Sequence, residues 1–256
     1  MNFLKKICFL FGLIITSVTF AQNMEEGFQY LETGKFDQAE VFFHQILAEY
    51  PTNKTAILCY GRAVGLNGNA PKAIKIFTNL LKEYPSDIEI QLNYAESLLW
   101  GKQFHEAKVY YTHLVAENPT NFVALLGFAN TFSNLKEYEN ALIYVDKALE
   151  VSVKNPNALI SRKYIRLGYA NEFVQKQDYN TALSLLNENL IDFPEDKETL
   201  LNKVTIYLMT KETDNATKIY EQIATNAKDS LLALNGLALV AHIAGKDKNA
   251  LEISKT

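Results

Sequence analysis

"GKFDQAEVFFHQILAEYPTN" (Gly34–Asn53) decides the fold. It opens as a turn, continues as an amphipathic helix and stops at Pro51. It returns as "GNAPKAIKIFTNLLKEYPSD" (Gly68–Asp87) and again as "KQFHEAKVYYTHLVAENPTN" (Lys102–Asn121). One such segment could sit in any fold. Three at constant spacing imply an architecture built by stacking one unit.

The spacing extends along the chain. Ala39, Ala73, Ala107, Ala141, Ala182, Ala216 and Ala250 follow one another at steps of 34, 34, 34, 41, 34 and 34 residues. Pro51, Pro85, Pro119 and Pro194 keep the same rhythm. Twelve residues before each alanine stands Gly27, Gly61, Ala95, Ala129, Ala170, Val204 or Ala238, small in all but one case. Four residues after come Phe43, Phe77, Tyr111, Val145, Leu186 and Tyr220, and three before come the rings Phe36, Phe104, Tyr138 and Tyr179. Two antiparallel helices per unit explain the pattern. Small residues sit where two backbones approach, and rings and aliphatics fill the wider gaps. Proline ends the second helix because it lacks the N–H that would continue the ladder. Pro71 sits just inside a helix start, where its fixed φ helps.

A 34-residue helix-turn-helix unit with this small, aromatic and proline pattern resembles the tetratricopeptide repeat. The resemblance implies an all-α, right-handed superhelical solenoid of about seven antiparallel helix pairs. The units run over about 20–53, 54–87, 88–121, 122–156, 157–196, 197–230 and an incomplete 231–256, so that the array fills residues 22–256. The departures lie late in the chain. Seven extra residues separate Ala141 from Ala182, Val153 stands where proline is expected with Pro156 three residues on, and Asn157–Gln177 reads as one longer helix. Asn189 replaces a small or aliphatic residue and Lys228 a proline. No polar capping helix closes the last unit, so the end is expected to fray, to pack on something else, or to continue in a longer protein.

Residues 1–21 follow a different logic. Lys5 and Lys6 precede the apolar run Ile7–Phe20, and Thr19 and Ala21 precede Gln22 in the manner of a cleavage site. This is the pattern of a secretory signal peptide, and the run is short for a spanning helix. The reading is an exported protein, periplasmic or secreted, with no integral membrane span after cleavage and association with an envelope complex open to it; an uncleaved anchor is the alternative. Cleavage removes Cys8 and two lysines, so the formal charge moves from −4 to about −6 and Cys59 remains as a lone thiol. Its apolar helical surroundings predict burial. The acidic balance argues against a nucleic-acid partner.

No catalytic or metal constellation stands out. His44, His105, His113 and His242 form no ligand spacing, and "GLNGNAPK" (Gly65–Lys72) lacks the G-K-[ST] of a phosphate loop. No enzyme and no cofactor is implied. What remains is a surface. The resemblance implies that the second, fifth, ninth, twelfth and thirteenth positions of each repeat face a concave groove. Those positions hold Arg62, Glu96, Trp100, Asn130 and Asn134, then Tyr164, Asn171 and Gln175. The fifth positions are mostly apolar (Met24, Leu58, Leu92, Leu126, Leu167, Leu201), so the lysine of the family's carboxylate clamp is missing. The expectation is a groove of mixed apolar and amide character that binds a protein partner as an extended segment or a helix. Trp100 has two readings, a groove anchor or a ring packed between the third and fourth repeats. Arg162, Lys163 and Arg166 likewise receive an acidic partner or form a solvated helix face. A repeat region of an outer-membrane export machine and a glycan binder are the competing functions.

Overall fold

The computed structural model describes residues 24–225, 230–246, 248 and 250. The apolar N-terminal run, Lys228 and most of the expected second helix of the last repeat lie outside them. Among the described residues the regular secondary structure is entirely helical. The chain forms two compact units, one ending at Thr131 and the other beginning at Phe132. The first unit holds α1 (24–32), α2 (Phe36–Glu49), α3 (Lys54–Leu66), α4 (Ala70–Glu83), α5 (Ile88–Trp100), α6 (Phe104–Glu117) and most of α7 (Phe122–Asn134). The second holds α8 (Tyr138–Val151), α9 (Pro156–Gln175), α10 (Tyr179–Asp192), α11 (Lys197–Met209), α12 (Thr213–Ala224) and α13 (Ser230–Ile243).

The periodic residues are the core. Ala39, Ala73, Ala107, Ala141, Ala182 and Ala216 are fully buried, as are Phe43, Phe77 and Val145. The small residues are small for a reason of space. A Cβ added to Gly61 would stand 2.7 Å from the Phe77 ring, and one on Gly127 would stand 2.3 Å from the Tyr111 hydroxyl. The ring of one helix takes the volume that a side chain would need on the other.

Two local devices set each turn. At the close of the first five helix pairs an Asn or Asp caps the next helix. Asn53 accepts from the Ala56 amide, Asp87 from Glu89 and Ile90, Asn121 from Ala124, Asn155 from Asn157 and Ala158, and Asp196 from Thr199. Each such cap satisfies an orphan N–H at the start of a helix. Between the two helices of a pair one residue turns left-handed: Gly34, Gly68, Lys102, Lys136, Gln177, Lys211 and Gly245. In each case the next amide bonds back five residues, as Gln103 to the Leu98 carbonyl at 2.9 Å and Glu212 to Tyr207 at 2.7 Å. This is the Schellman closure of a helix C-terminus.

The same two markers locate the extra residues. The cap Asn155 comes 34 residues after Asn121, in step, but the left-handed Gln177 comes 41 after Lys136. The insertion therefore lies within α9, which has 20 residues against 13 in α3, α5, α7 and α11. Seven residues make almost two turns, so α9 gains about 10 Å of length. Its faces drift by only about 20°. Pro156, placed by spacing at the end of the fourth repeat, is the first residue of α9, and Asn155 caps that helix.

Candidate functional site

In the first unit, Arg62 on α3 and Glu96 on α5 occupy the same repeat position one unit apart. Both are half-buried. Burial pushes the Glu96 carboxyl above the usual range, and the Arg62 guanidinium partly offsets that shift. Among the described residues neither side chain makes a hydrogen bond or a short ion pair, and Arg62 Nε is sealed from solvent without an acceptor. Charges drawn out of water are normally hydrogen-bonded; Arg162 and Arg166 also have a sealed Nε, but their guanidiniums bond through the terminal nitrogens, as Arg62 does not.

Trp100 lies one turn beyond Glu96 on α5 and packs back onto α3. A Cβ on Gly65 would stand 2.1 Å from its Cε3. The indole thus lies against the second repeat, not between the third and fourth. Trp100 as a whole is half-buried. Asn130 holds on α7 the repeat position of Arg62 and Glu96 and is also half-buried. The fifth-position residues correct the expected groove surface. Met24, Leu58 and Leu167 are at most 9% exposed, so at these three positions the apolar side chains pack into the core instead of facing a ligand.

In the second unit, Asn134 is exposed at the end of α7. Tyr164, 51% exposed, carries the Lys163 ammonium 4.5 Å from its ring centre. Asn171 and Gln175 are exposed at two and three turns further along α9. Seven-residue and four-residue spacings keep the three on one side of the helix.

The basic group on α9 is neither a receptor nor a solvated face. Arg162 donates to both carboxylate oxygens of Asp192 at 2.9 Å and to Asp146 at 3.1 Å. Arg166 donates to Asp192 at 2.9 Å and pairs with Glu188 at 3.1 Å. Lys163 pairs with Asp196 at 2.9 Å and Glu198 at 3.4 Å. Asn189, whose side chain is fully buried, donates to the Lys163 carbonyl at 3.0 Å. The acids lie some thirty residues downstream of most of these bases, or on the preceding helix, and local sequence gives no sign of them. The N-terminal caps do have a local signal: an Asn or Asp stands two residues after each of Pro51, Pro85, Pro119 and Pro194.

Among the described residues no group of three or more His, Cys, Asp or Glu is placed to hold a metal ion, and no helix is long and apolar enough to cross a membrane. Cys59 is buried, and burial pushes its thiol up to about 11.

Family models described as tetratricopeptide repeat match residues 25–53 and 123–154. The helix pairs recur between and beyond those two stretches at the family's period. The chain is a tetratricopeptide repeat protein. No curated protein sequence matches it. Solved structures are similar in fold. A tetratricopeptide repeat protein from Parabacteroides merdae aligns with a TM-score of 0.56 at 18% identity, over 92% of this chain and 90% of that one. PilW, a widely conserved type IV pilus biogenesis factor, aligns with a TM-score of 0.63 at 18% identity, over 86% of this repeat protein and 97% of PilW. The Pseudomonas aeruginosa protein pilF aligns with a TM-score of 0.57 at 16% identity, over 80% and 90%.

Proposed function

We propose that this repeat protein is a non-enzymatic scaffold that holds a segment of another protein along the face formed by the first helices of its pairs. The observation that carries this reading is the Arg62–Glu96 pair. Two half-buried charges on that face have no hydrogen bond from the described residues, and a bound partner would supply the missing groups. Trp100 and Asn130 extend the same face in the first unit. Asn134, Tyr164, Asn171 and Gln175 are the corresponding side chains of the second. An exported location belongs to the same reading and rests on Lys5, Lys6 and the apolar run Ile7–Phe20.

Site-specific photo-crosslinking in cells tests it. A crosslinker replaces Val123 on α7, 50% exposed, or Val109 on the second helix α6, 62% exposed. The reading expects a discrete adduct from position 123 and none from 109. Adducts from 109 alone would move the interface to the second helices and overturn it. The likeness to PilW makes a part in an envelope assembly machine the second reading. At 18% identity that likeness is one of fold, and mass spectrometry of the adduct decides between a soluble client and a machine component.

A further inference from the structure

The pair also indicates what kind of group it takes, provided the first-helix face is the binding face as proposed above. Arg62 can only donate hydrogen bonds and an ionised Glu96 can only accept them. They hold equivalent positions on α3 and α5, two helices in contact, carry opposite charge, and Arg62 acts electrostatically on Glu96. An anionic ligand group would gain from Arg62 and lose to Glu96, and a cationic group would meet the reverse, so at comparable distances the two contributions largely cancel. A neutral dipole with a donor and an acceptor gains from both. A peptide main chain is such a dipole: its N–H suits the carboxylate and its C=O suits the guanidinium. Those groups are free only where the segment is not helical, because a helix interior has already paired them.

We propose that Arg62 and Glu96 form a receptor for one main-chain peptide unit of an extended partner segment, with Glu96 accepting its N–H and Arg62 donating to its carbonyl. Recognition at this point depends on backbone, not on side-chain charge. Trp100 lies one turn away on the same two helices. It is the single tryptophan of the chain, so its emission reports occupancy of this part of the face.

Random dodecamers displayed on phage would be selected against the folded full chain, and enriched tryptophan-free peptides made synthetically with single backbone N-methyl groups. The proposal expects selected peptides to shift Trp100 emission. One N-methyl position should lower affinity about tenfold or more, the range for a hydrogen bond to a charged group. Glu96→Leu and Arg62→Met, checked for folding by thermal melts, should lose binding by a similar factor. Glu96→Gln still presents an acceptor and should stay within a few-fold of the parent.

Peptides that shift Trp100 but depend on one charged side chain, with Glu96→Gln as damaging as Glu96→Leu, would overturn the peptide-unit receptor and leave the first-helix face standing. Harmless N-methylation at every position would do the same. Selection that enriches nothing, or only peptides that leave Trp100 emission unchanged, would remove both the receptor and the face.

Discussion

The indole of Trp100 occupies the space where Gly65 would carry a Cβ, with Cε3 2.1 Å and Cζ3 2.2 Å from that point. Glycine inside a helix ordinarily costs stability, about 0.5–1 kcal/mol relative to alanine. Here the ring needs the vacancy, and Ala73 closes the other side at 3.1 Å.

Gly65→Ala is therefore expected to destabilise the first unit by about 1–3 kcal/mol, as overpacking does, despite the helix propensity it gains. The displaced ring should shift its emission to longer wavelength. Denaturant melts followed by fluorescence and by circular dichroism measure both effects. A stabilised variant with unchanged emission would mean that the ring does not rest on Gly65.

Glu96 gives a pH-dependent test. Its folded carboxyl titrates above the ordinary range because burial disfavours the charge. The folded state thus binds more protons than the unfolded state between the two midpoints, and this group's contribution to stability falls as pH rises through that window. Above the window it is a constant penalty. Glu96→Gln removes the penalty and should be more stable than the parent at neutral pH, with the difference shrinking as pH falls through that window and gone once pH is below the ordinary glutamate range. The comparison with the parent matters because Asp87 and Asp196, both held low in the fold, lose stability in the opposite direction on acidification. Equal stability of variant and parent at every pH would refute the desolvated carboxylate.

The left-handed turn residues offer a gain. Lys102, Lys136, Gln177 and Lys211 hold φ between 57° and 62°, where a side chain costs about 1–2 kcal/mol relative to glycine. Gly34, Gly68 and Gly245 show what the same turn takes when strain is avoided. Lys136→Gly or Lys211→Gly should raise stability by about 0.5–1 kcal/mol, less than the strain because glycine also frees the unfolded chain. The gains should add in the double variant, since the two turns share no contacts. A loss in either single variant, read from urea midpoints, would argue against the left-handed assignment.

The pattern of legibility follows from range. The alternation of small and bulky residues at a 34-residue period was readable because each core contact repeats between adjacent elements: Gly61 with Phe77, Ala39 beside Phe43. The seven-residue insertion was visible as a broken step, and its placement inside α9 follows once the caps and left-handed residues are used as markers. The site was less readable. The spacing put Arg62 and Glu96 at equivalent positions but could not show that both are half-buried without hydrogen-bond partners. The apolar fifth positions looked like groove lining, yet Leu58 faces the core. Gly65, which the sequence places at the start of the Gly65–Lys72 turn, is the last residue but one of α3, and the ring that needs its missing Cβ arrives from 35 residues away.

The last prediction concerns Asp192, the acid shared by Arg162 and Arg166. Its side chain is 18% exposed, and those of the two arginines are 19% and 11%. Removing one partner of such a cluster strands charges that are already largely desolvated. Asp192→Ala should cost about 3 kcal/mol and should not be rescued by salt, because pairs this enclosed are screened weakly. The cluster is not for that reason a net stabiliser. Replacing all three members with apolar side chains of similar size, Arg162→Met, Arg166→Met and Asp192→Leu together, should come close to the parent or exceed it. If the triple variant were as unstable as Asp192→Ala, the contribution of the cluster would lie in its hydrogen bonds to the end of α10 and not in repairing its own desolvation. If Asp192→Ala cost less than about 1 kcal/mol, the pairs would belong with exposed surface bridges, and the lengthened α9 would be held by packing alone.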